Sequence, residues 1–376
     1  MRKAVFIHSS ELEKYRYPPE HPFNTVRAAR TREVINSMGL LSGEGRSEVA
    51  PELAERIVLK KFHTARYLHA LKMAGEGHQS VQAFNMGIGT SDCPVFEGLY
   101  DYAVLAVGGT IKAARLILAG AADVAFNPSG GYHHAHPERA SGFCYINDVA
   151  LACTVFAEAG KKVLYLDVDV HHGDGVAYAF YDRSDVMTIS FHENPRVLFP
   201  GTGFEDEIGE GEGKGYCVNV PLPIGTYDQA YMRAFKAVAV PLIGAFSPDV
   251  IVFELGADAL AGDPLAHLHL TNNVYAEIIE RLLSCNKPIL ATGGGGYNVE
   301  NTARAWALAW SILCGADNGT DVSLGAGGVL LESTDWQGGL RDRTLAVSSQ
   351  QRNAVVPAVE ATIESVKANV FPFHGL

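Results

Sequence analysis

The run from Val163 to Asp174 begins as an apolar strand and ends in acid and imidazole, Val-Leu-Tyr-Leu-Asp-Val-Asp-Val-His-His-Gly-Asp. Side chains alternate faces along a strand, so Asp167, Asp169 and His171 project one way and Leu166, Val168 and Val170 the other. Two carboxylates this close repel unless a cation or hydrogen bonds offset them, and a metal ion is the simplest resolution. A second apolar run, 249–255, leads directly to Asp258. Asp169, His171 and Asp258 then form an O, N, O ligand set with one position open, the arrangement of a catalytic zinc; a structural zinc would draw on cysteine.

Tandem histidines, His133 and His134, stand in a glycine-rich loop after the short run 123–127. A neutral imidazole there can take a proton from metal-activated water, and a carboxylate behind its other nitrogen would fix the tautomer. Asp167 and Asp174 are both available for that. Four glycines at 293–296 follow the run 288–292 and precede Tyr297. They let the backbone approach a ligand closely, and a tyrosine held there stays protonated and can donate to a developing oxyanion. A phosphate cradle is the obvious alternative, but there is no GxGxxG, GKS or GKT, and the neighbouring acids would repel phosphate unless a metal intervened. Metal ligands, an imidazole base and an oxyanion donor are the parts of metal-assisted hydrolysis of an unactivated amide.

Elements must hold these residues together. Candidate strands lie at 3–8, 123–127, 162–170, 186–191, 217–222, 249–255 and 288–292, and between them helical spacing appears at 101–119, 148–159, 228–243, 271–284 and 301–313. Strand and helix alternate, which predicts a mostly parallel sheet covered on both faces. Ligands of such sheets bind beyond the carboxyl ends of the strands, where the polar residues above stand. The 376 residues are 47% hydrophobic, enough for a large core, and are read as a single domain, 1–376, with a Gly- and Ser-rich loop region at 316–353 and a C-terminal helix at 354–370. A net charge of -12 argues against nucleic acid or an anionic membrane as partner. Cys93, Cys144, Cys153, Cys217, Cys285 and Cys314 form no CxxC pair, and no stretch of about 18 apolar residues occurs, so reduced thiols and a cytoplasmic location are expected.

The strings SGGYHHAHPERASGFCYIND, LYLDVDVHHGDGV, LFPGTG, GADALAGDPL and GGGGYNVENTARAW, in this order from about residue 15 to 315, resemble those of the class I zinc-dependent histone deacetylases and their bacterial acetoin-utilisation homologues. The resemblance implies the arginase/deacetylase fold, a single α/β domain with a central parallel sheet of about eight strands, helices on both faces, and a narrow tube above the strand ends. It implies one catalytic zinc on Asp169, His171 and Asp258, His134 as general base backed by Asp174, and His133 backed by Asp167 as its electrostatic partner. Tyr297 would polarise the acetyl carbonyl. Gly142, Phe143 and Phe199 would line the tube, Asp92 would bind the substrate backbone at the rim, and Arg27 would lie near an inner cavity. Leu265 stands where polyamine-selective relatives carry a glutamate. A structural potassium ion would take Asp167, Ser190 and the backbone oxygens of Asp169, His171 and Phe191. No organic cofactor is implied.

The function expected from the resemblance is hydrolysis of the acetyl amide of acetyl-lysine in proteins or peptides. The alternatives are an amidohydrolase of acetylpolyamines or other small acyl-amines, an arginase-like two-metal ureohydrolase, and a non-catalytic acetyl-ligand-binding protein. Leu265 speaks against the first, the tandem histidine loop against the second, and the presence of Tyr297 with both histidines against the third. One departure stands out: Glu254 replaces the Gln usual in close relatives, and if it faces the site it adds negative charge near the metal.

Overall fold

A computed structural model describes residues 2–317 and 339–376. In its first half the elements are β1 (Ala4–Ile7), α1 (Val26–Ser37), β2 (Arg46–Val49), α2 (Arg56–Leu59), α3 (Ala65–Gly75), α4 (Val81–Asn85), α5 (Leu99–Leu118), β3 (Val124–Asn127), α6 (Asp148–Glu158), β4 (Val163–Asp167) and α7 (Asp174–Ala179). There follow β5 (Val186–Glu193), β6 (Cys217–Leu222), α8 (Asp228–Phe246), β7 (Val250–Glu254), α9 (Asn272–Ser284), β8 (Ile289–Thr292), α10 (Val299–Leu313) and α11 (Ser349–Val370).

All eight strands join one parallel sheet in the order β2-β1-β3-β8-β7-β4-β5-β6. Seven lie where apolar runs predict them. The eighth, β2, is a half-exposed edge strand, Arg-Ser-Glu-Val, that pairs with β1 and carries no apolar alternation. Buried on both faces, the inner strands are apolar throughout, and their alternate residues feed different cores. In β4, Leu164 and Leu166 join the core that includes α8, α9, α10 and α11 residues, whereas Val163 and Tyr165 join that of α5 and α6. Val168 and Val170 continue the first set beyond the strand. The predicted strand 162–170 is therefore too long, ending at Asp167, but its alternation persists past the last ladder bond.

The C-terminal helix also departs from expectation. It begins at Ser349 rather than 354, because Ser348 caps it, its hydroxyl accepting the Gln351 N–H at 3.1 Å. The predicted loop region 316–353 is thus helical in its last residues, and its part at 318–338 lies outside the described residues. No helix among the described residues is long and apolar enough to cross a membrane. All six cysteines are free, five of them buried.

Register decides where chemistry can gather. Asn127 of β3 pairs with Thr292 of β8, Thr292 with Glu254 of β7, Glu254 with Asp167 of β4, and Asp167 with Ser190 of β5. Five adjacent strands thus present a row of polar residues at the carboxyl edge, and the loops leaving β3, β4, β7 and β8 rise from it side by side.

Candidate active site

Two of those loops, the one after β4 and the one after β7, bring Asp169, His171 and Asp258 together. His171 Nδ1 lies 3.1 Å from Asp169 Oδ1 and 3.0 Å from Asp258 Oδ2, and all three residues are buried. The backbone fixes the remaining carboxylate oxygens: Gly295 N–H donates to Asp169 Oδ2 at 2.6 Å, and Val170 N–H donates to Asp258 Oδ1 at 2.9 Å. Gly295 must be glycine, since a Cβ there would overlap Asp258 Oδ2. Among protein neighbours alone, burial and Asp169 push Asp258 up to about 7 against the pull of His171. Burial disfavours charge on His171, yet Asp169 and Asp258 outweigh it and raise it to about 10. Two crowded carboxylates that share one proton-holding imidazole are a donor set short of positive charge. The three ligand atoms lie within 4.8 Å of one another, and their O, N, O chemistry fits a divalent metal ion.

Beside this cluster stand the two histidines. His134 Nδ1 is 2.7 Å from Asp174 Oδ1, His133 Nδ1 is 3.0 Å from Asp167 Oδ2, and the two Nε2 atoms are 3.0 Å apart. A carboxylate accepts, so both Nδ1 atoms carry protons; the Nε2 pair then needs one donor and one acceptor. Burial opposes charge on His133, but Asp167, Asp169 and Glu254 override it and hold it well above its ordinary value. Burial and the neighbouring His133 charge instead lower His134 to about 4, although Asp174 pulls the other way. His133 is therefore the imidazolium and Nε2–H donor, and His134 is neutral and accepts that bond at its Nε2 lone pair. Asp174, despite burial, is held below the usual carboxylate range by His134 and His136, the latter 3.0 Å away.

A residue that sequence reasoning passed over fixes this loop. Asp148, read there only as a helix start, is buried and accepts the N–H groups of Gly131 and Tyr132 at 3.0 and 2.8 Å and the Thr110 hydroxyl at 2.6 Å. The signal was an acid opening a helix in a loop rich in glycine, too common to single out.

Tyr297 follows the glycine run, its N–H donating to Asp263 Oδ2 at 2.7 Å, and its ring stands edge-on to His171 at 6.3 Å and to Phe143 at 5.7 Å. Burial, then Asp258 and Asp169, raise its phenol well above the ordinary value, so it remains a donor. Phe143 has φ +68°, next to Gly142 at φ +54°, whose Cα packs on the His134 ring. Phe199 stands edge-on to His134 at 5.0 Å. Asp92 Oδ2 accepts the Gly142 N–H at 2.8 Å, tying Asp92 to the segment that carries Phe143. Leu265 is half-buried, and its N–H donates to Asp263 Oδ1 at 2.9 Å, so one acid holds both Leu265 and Tyr297. Arg27 is buried on α1, against the ordinary expectation for a helical arginine, donating to Gly296 O at 2.8 Å and stacking over Phe23. Glu254 faces the site: Oε2 accepts from Thr292 at 2.6 Å, and the buried Oε1 has no hydrogen-bond partner and lies 3.8 Å from His133 Nδ1. Ser190 Oγ is engaged 2.8 Å from His192 Nδ1.

Comparison with known proteins agrees with this geometry. A model of the histone deacetylase domain matches residues 21–313. The acetoin utilization protein AcuC of Bacillus subtilis (strain 168) is 41% identical over 330 residues, covering 86% of this chain and 85% of that protein. Histone deacetylase 3 of Oryza sativa subsp. japonica is 38% identical over 321 residues, 84% of this chain but 62% of the rice protein, which is the longer of the two. Among solved structures, an HDAC homolog complexed with SAHA matches with a TM-score of 0.85 at 32% identity, over 97% of this chain and 100% of that one. An HDAC homolog from Aquifex aeolicus matches with a TM-score of 0.83 at the same identity and coverage.

Proposed function

Since this chain belongs to the histone deacetylase family and is a zinc-dependent deacetylase-type hydrolase, we propose that its substrate is the acetyl-lysine side chain of proteins or peptides. The observation that carries the reading is an apolar approach over a polar floor. Phe143 beside Tyr297 and Phe199 beside His134 flank the carboxylate–imidazole cluster, which suits an uncharged aliphatic stem ending in an amide.

Asp169, His171 and Asp258 would hold the zinc. When bound, the ion supplies the positive charge that activates a water and polarises the acetyl carbonyl. His134, oriented by Asp174, takes the water's proton at Nε2 and later gives it to the departing amine. His133, charged between Asp167 and His134, stabilises negative charge as it builds, and Tyr297 donates to the carbonyl oxygen as it becomes an oxyanion. Asp92 with Gly142 forms the rim that meets the peptide, and Leu265 offers an apolar contact there instead of an acid for a polyamine. Potassium on Asp167, Ser190 and the backbone oxygens of Asp169, His171 and Phe191 is the structural part of the same reading. Six free thiols suit a reducing compartment, and the cytoplasm is the location we assign.

Acetate release by zinc-loaded protein from an acetyl-lysine peptide and from N-acetylspermidine tests the substrate. A higher kcat/KM on the peptide is expected. Faster turnover of acetylspermidine would overturn the acetyl-lysine assignment and leave the hydrolase intact.

A further inference from the structure

Phe199 sits at the start of a short loop, Phe199-Pro200-Gly201-Thr202-Gly203, and that loop rests on two buried imidazoles that take no part in the proton chain above. His172 Nδ1 lies 2.9 Å from the Thr202 hydroxyl. His192 Nε2 lies 2.9 Å from the Gly203 carbonyl, which can only accept, so Nε2 carries the proton and Nδ1 accepts from the Ser190 hydroxyl. The two rings pack 4.8 Å apart. Gly203 presses onto both: at φ +95°, a Cβ there would come within 2.5 Å of His192 Nε2 and 2.7 Å of His172 Cγ. From the other direction Glu207 Oε2 accepts the Gly203 N–H at 3.1 Å and the Tyr178 hydroxyl at 3.2 Å.

His172 is an expensive way to hold a loop. It is buried, and its Nε2 has no hydrogen-bond partner. A desolvated imidazole left half satisfied costs free energy that an apolar side chain would not, and such local violations gather where position serves function. Position matters here because the Phe199 ring is edge-on to His134 at 5.0 Å and 6.3 Å from His171. Any slack in the loop moves the wall nearest the reacting groups.

We propose that His172 and His192 are positioning residues that set the width of the substrate tube by clamping the loop behind Phe199, and so select a slim, unbranched acyl-amine stem over a bulkier one. This rests on the reading of Phe199 as a wall of that tube.

The test uses the zinc-loaded full chain and two hydroxamates that differ only in the stem, one a linear alkyl chain, the other bearing a cyclohexyl ring next to the hydroxamate. Thr202→Val removes the hydroxyl at nearly constant volume, and His172→Leu removes the imidazole. Losing one neutral hydrogen bond predicts a linear ligand bound roughly 3- to 10-fold more weakly, with the ring-bearing ligand unaffected or bound more tightly, so that the preference between them narrows. His172→Asn, whose amide reaches the Nδ1 position, restores the wild-type preference, and bound zinc is unchanged throughout. A damaged fold would lower the binding-competent fraction for both ligands and leave the ratio of their Kd values alone. An unaltered ratio in Thr202→Val at full zinc content therefore overturns the proposal, and this variant decides if His172→Leu does not fold. Failure of the deacetylase reading would be seen separately, as wild-type protein that releases no acetate from an acetyl-lysine peptide.

Discussion

Tyr297 and Glu254 show how differently single residues reveal themselves. Tyr297 drew notice in the sequence as a tyrosine following four glycines, and its ring lies edge-on to His171 at 6.3 Å. If its hydroxyl donates to the oxyanion, Tyr297→Phe loses an interaction present mainly in the transition state, so kcat should fall roughly 100- to 1000-fold with KM and zinc content little changed. A variant within a few-fold of wild type in kcat would make Tyr297 a packing residue. Glu254 was legible only as a departure from its relatives; which way it faced was a matter of register, and register places it beside Asp167 and His133. Burial, with Asp167 and Asp148, pushes its carboxyl well above the usual range despite the opposing pull of His133. As pH rises and Glu254 ionises, its charge favours the His133 imidazolium, so wild type should keep a protonated His133 to higher pH. Glu254→Gln removes that support, and the alkaline limb of its kcat profile should move down by roughly one pH unit. A limb that stays put or moves up would show that Glu254 does not act on His133.

At the scale of elements, apolar runs leading into acidic or glycine-rich segments announced β3, β4, β7 and β8, the four strands whose loops carry the site. Elements with weak contrast were missed. α1 reads Val-Arg-Ala-Ala-Arg-Thr-Arg-Glu-Val-Ile-Asn-Ser, too polar to show a clear face, yet it buries Arg27 against Phe23 and Trp306. β2 is an edge strand whose pairing depends on β1 rather than on its own residues. Phe143 and Phe199, which we propose line the tube, were visible through the family resemblance alone, since an aromatic residue in a loop has no period. Asp148, at the start of α6, links elements to the site: it accepts the Gly131 and Tyr132 N–H groups of the His133–His134 loop and the Thr110 hydroxyl of α5. Asp148→Asn turns part of that acceptor into a donor facing backbone N–H groups, which should cost about 2 kcal/mol of stability and lower kcat as the histidines lose their frame. Urea denaturation and turnover measure both. An unchanged midpoint with unchanged kcat would remove Asp148 from the account.

For the molecule as a whole, burial of neutral histidines ties stability to pH. Burial lowers His63 from 6.5 to about 3 and His192 from 6.5 to about 4. The folded state then binds fewer protons than the unfolded one between these values and 6.5, so their contribution is present above about pH 6.5 and is lost as pH falls toward the folded values. From pH 7 to pH 5 each should cost about 2 kcal/mol. His63 Nε2 accepts the Asn147 N–H at 2.9 Å, a bond that a glutamine oxygen can replace. His63→Gln should therefore lose about 2 kcal/mol less than wild type over that interval in urea denaturation, and an equal loss in both would contradict the linkage. The central proposal also belongs to this scale: eight parallel strands gather Asp169, His171 and Asp258 into one metal site, and that site makes the chain a hydrolase of acetyl-lysine. A second group of buried donors, His133, Asp169 and Glu254, lies next to it. Titrating metal-stripped protein with zinc while following acetate release from an acetyl-lysine peptide separates the possibilities. The account predicts no activity without metal and a linear rise that ends at one zinc per chain; activity that survives metal removal, or that needs a second zinc, would contradict it.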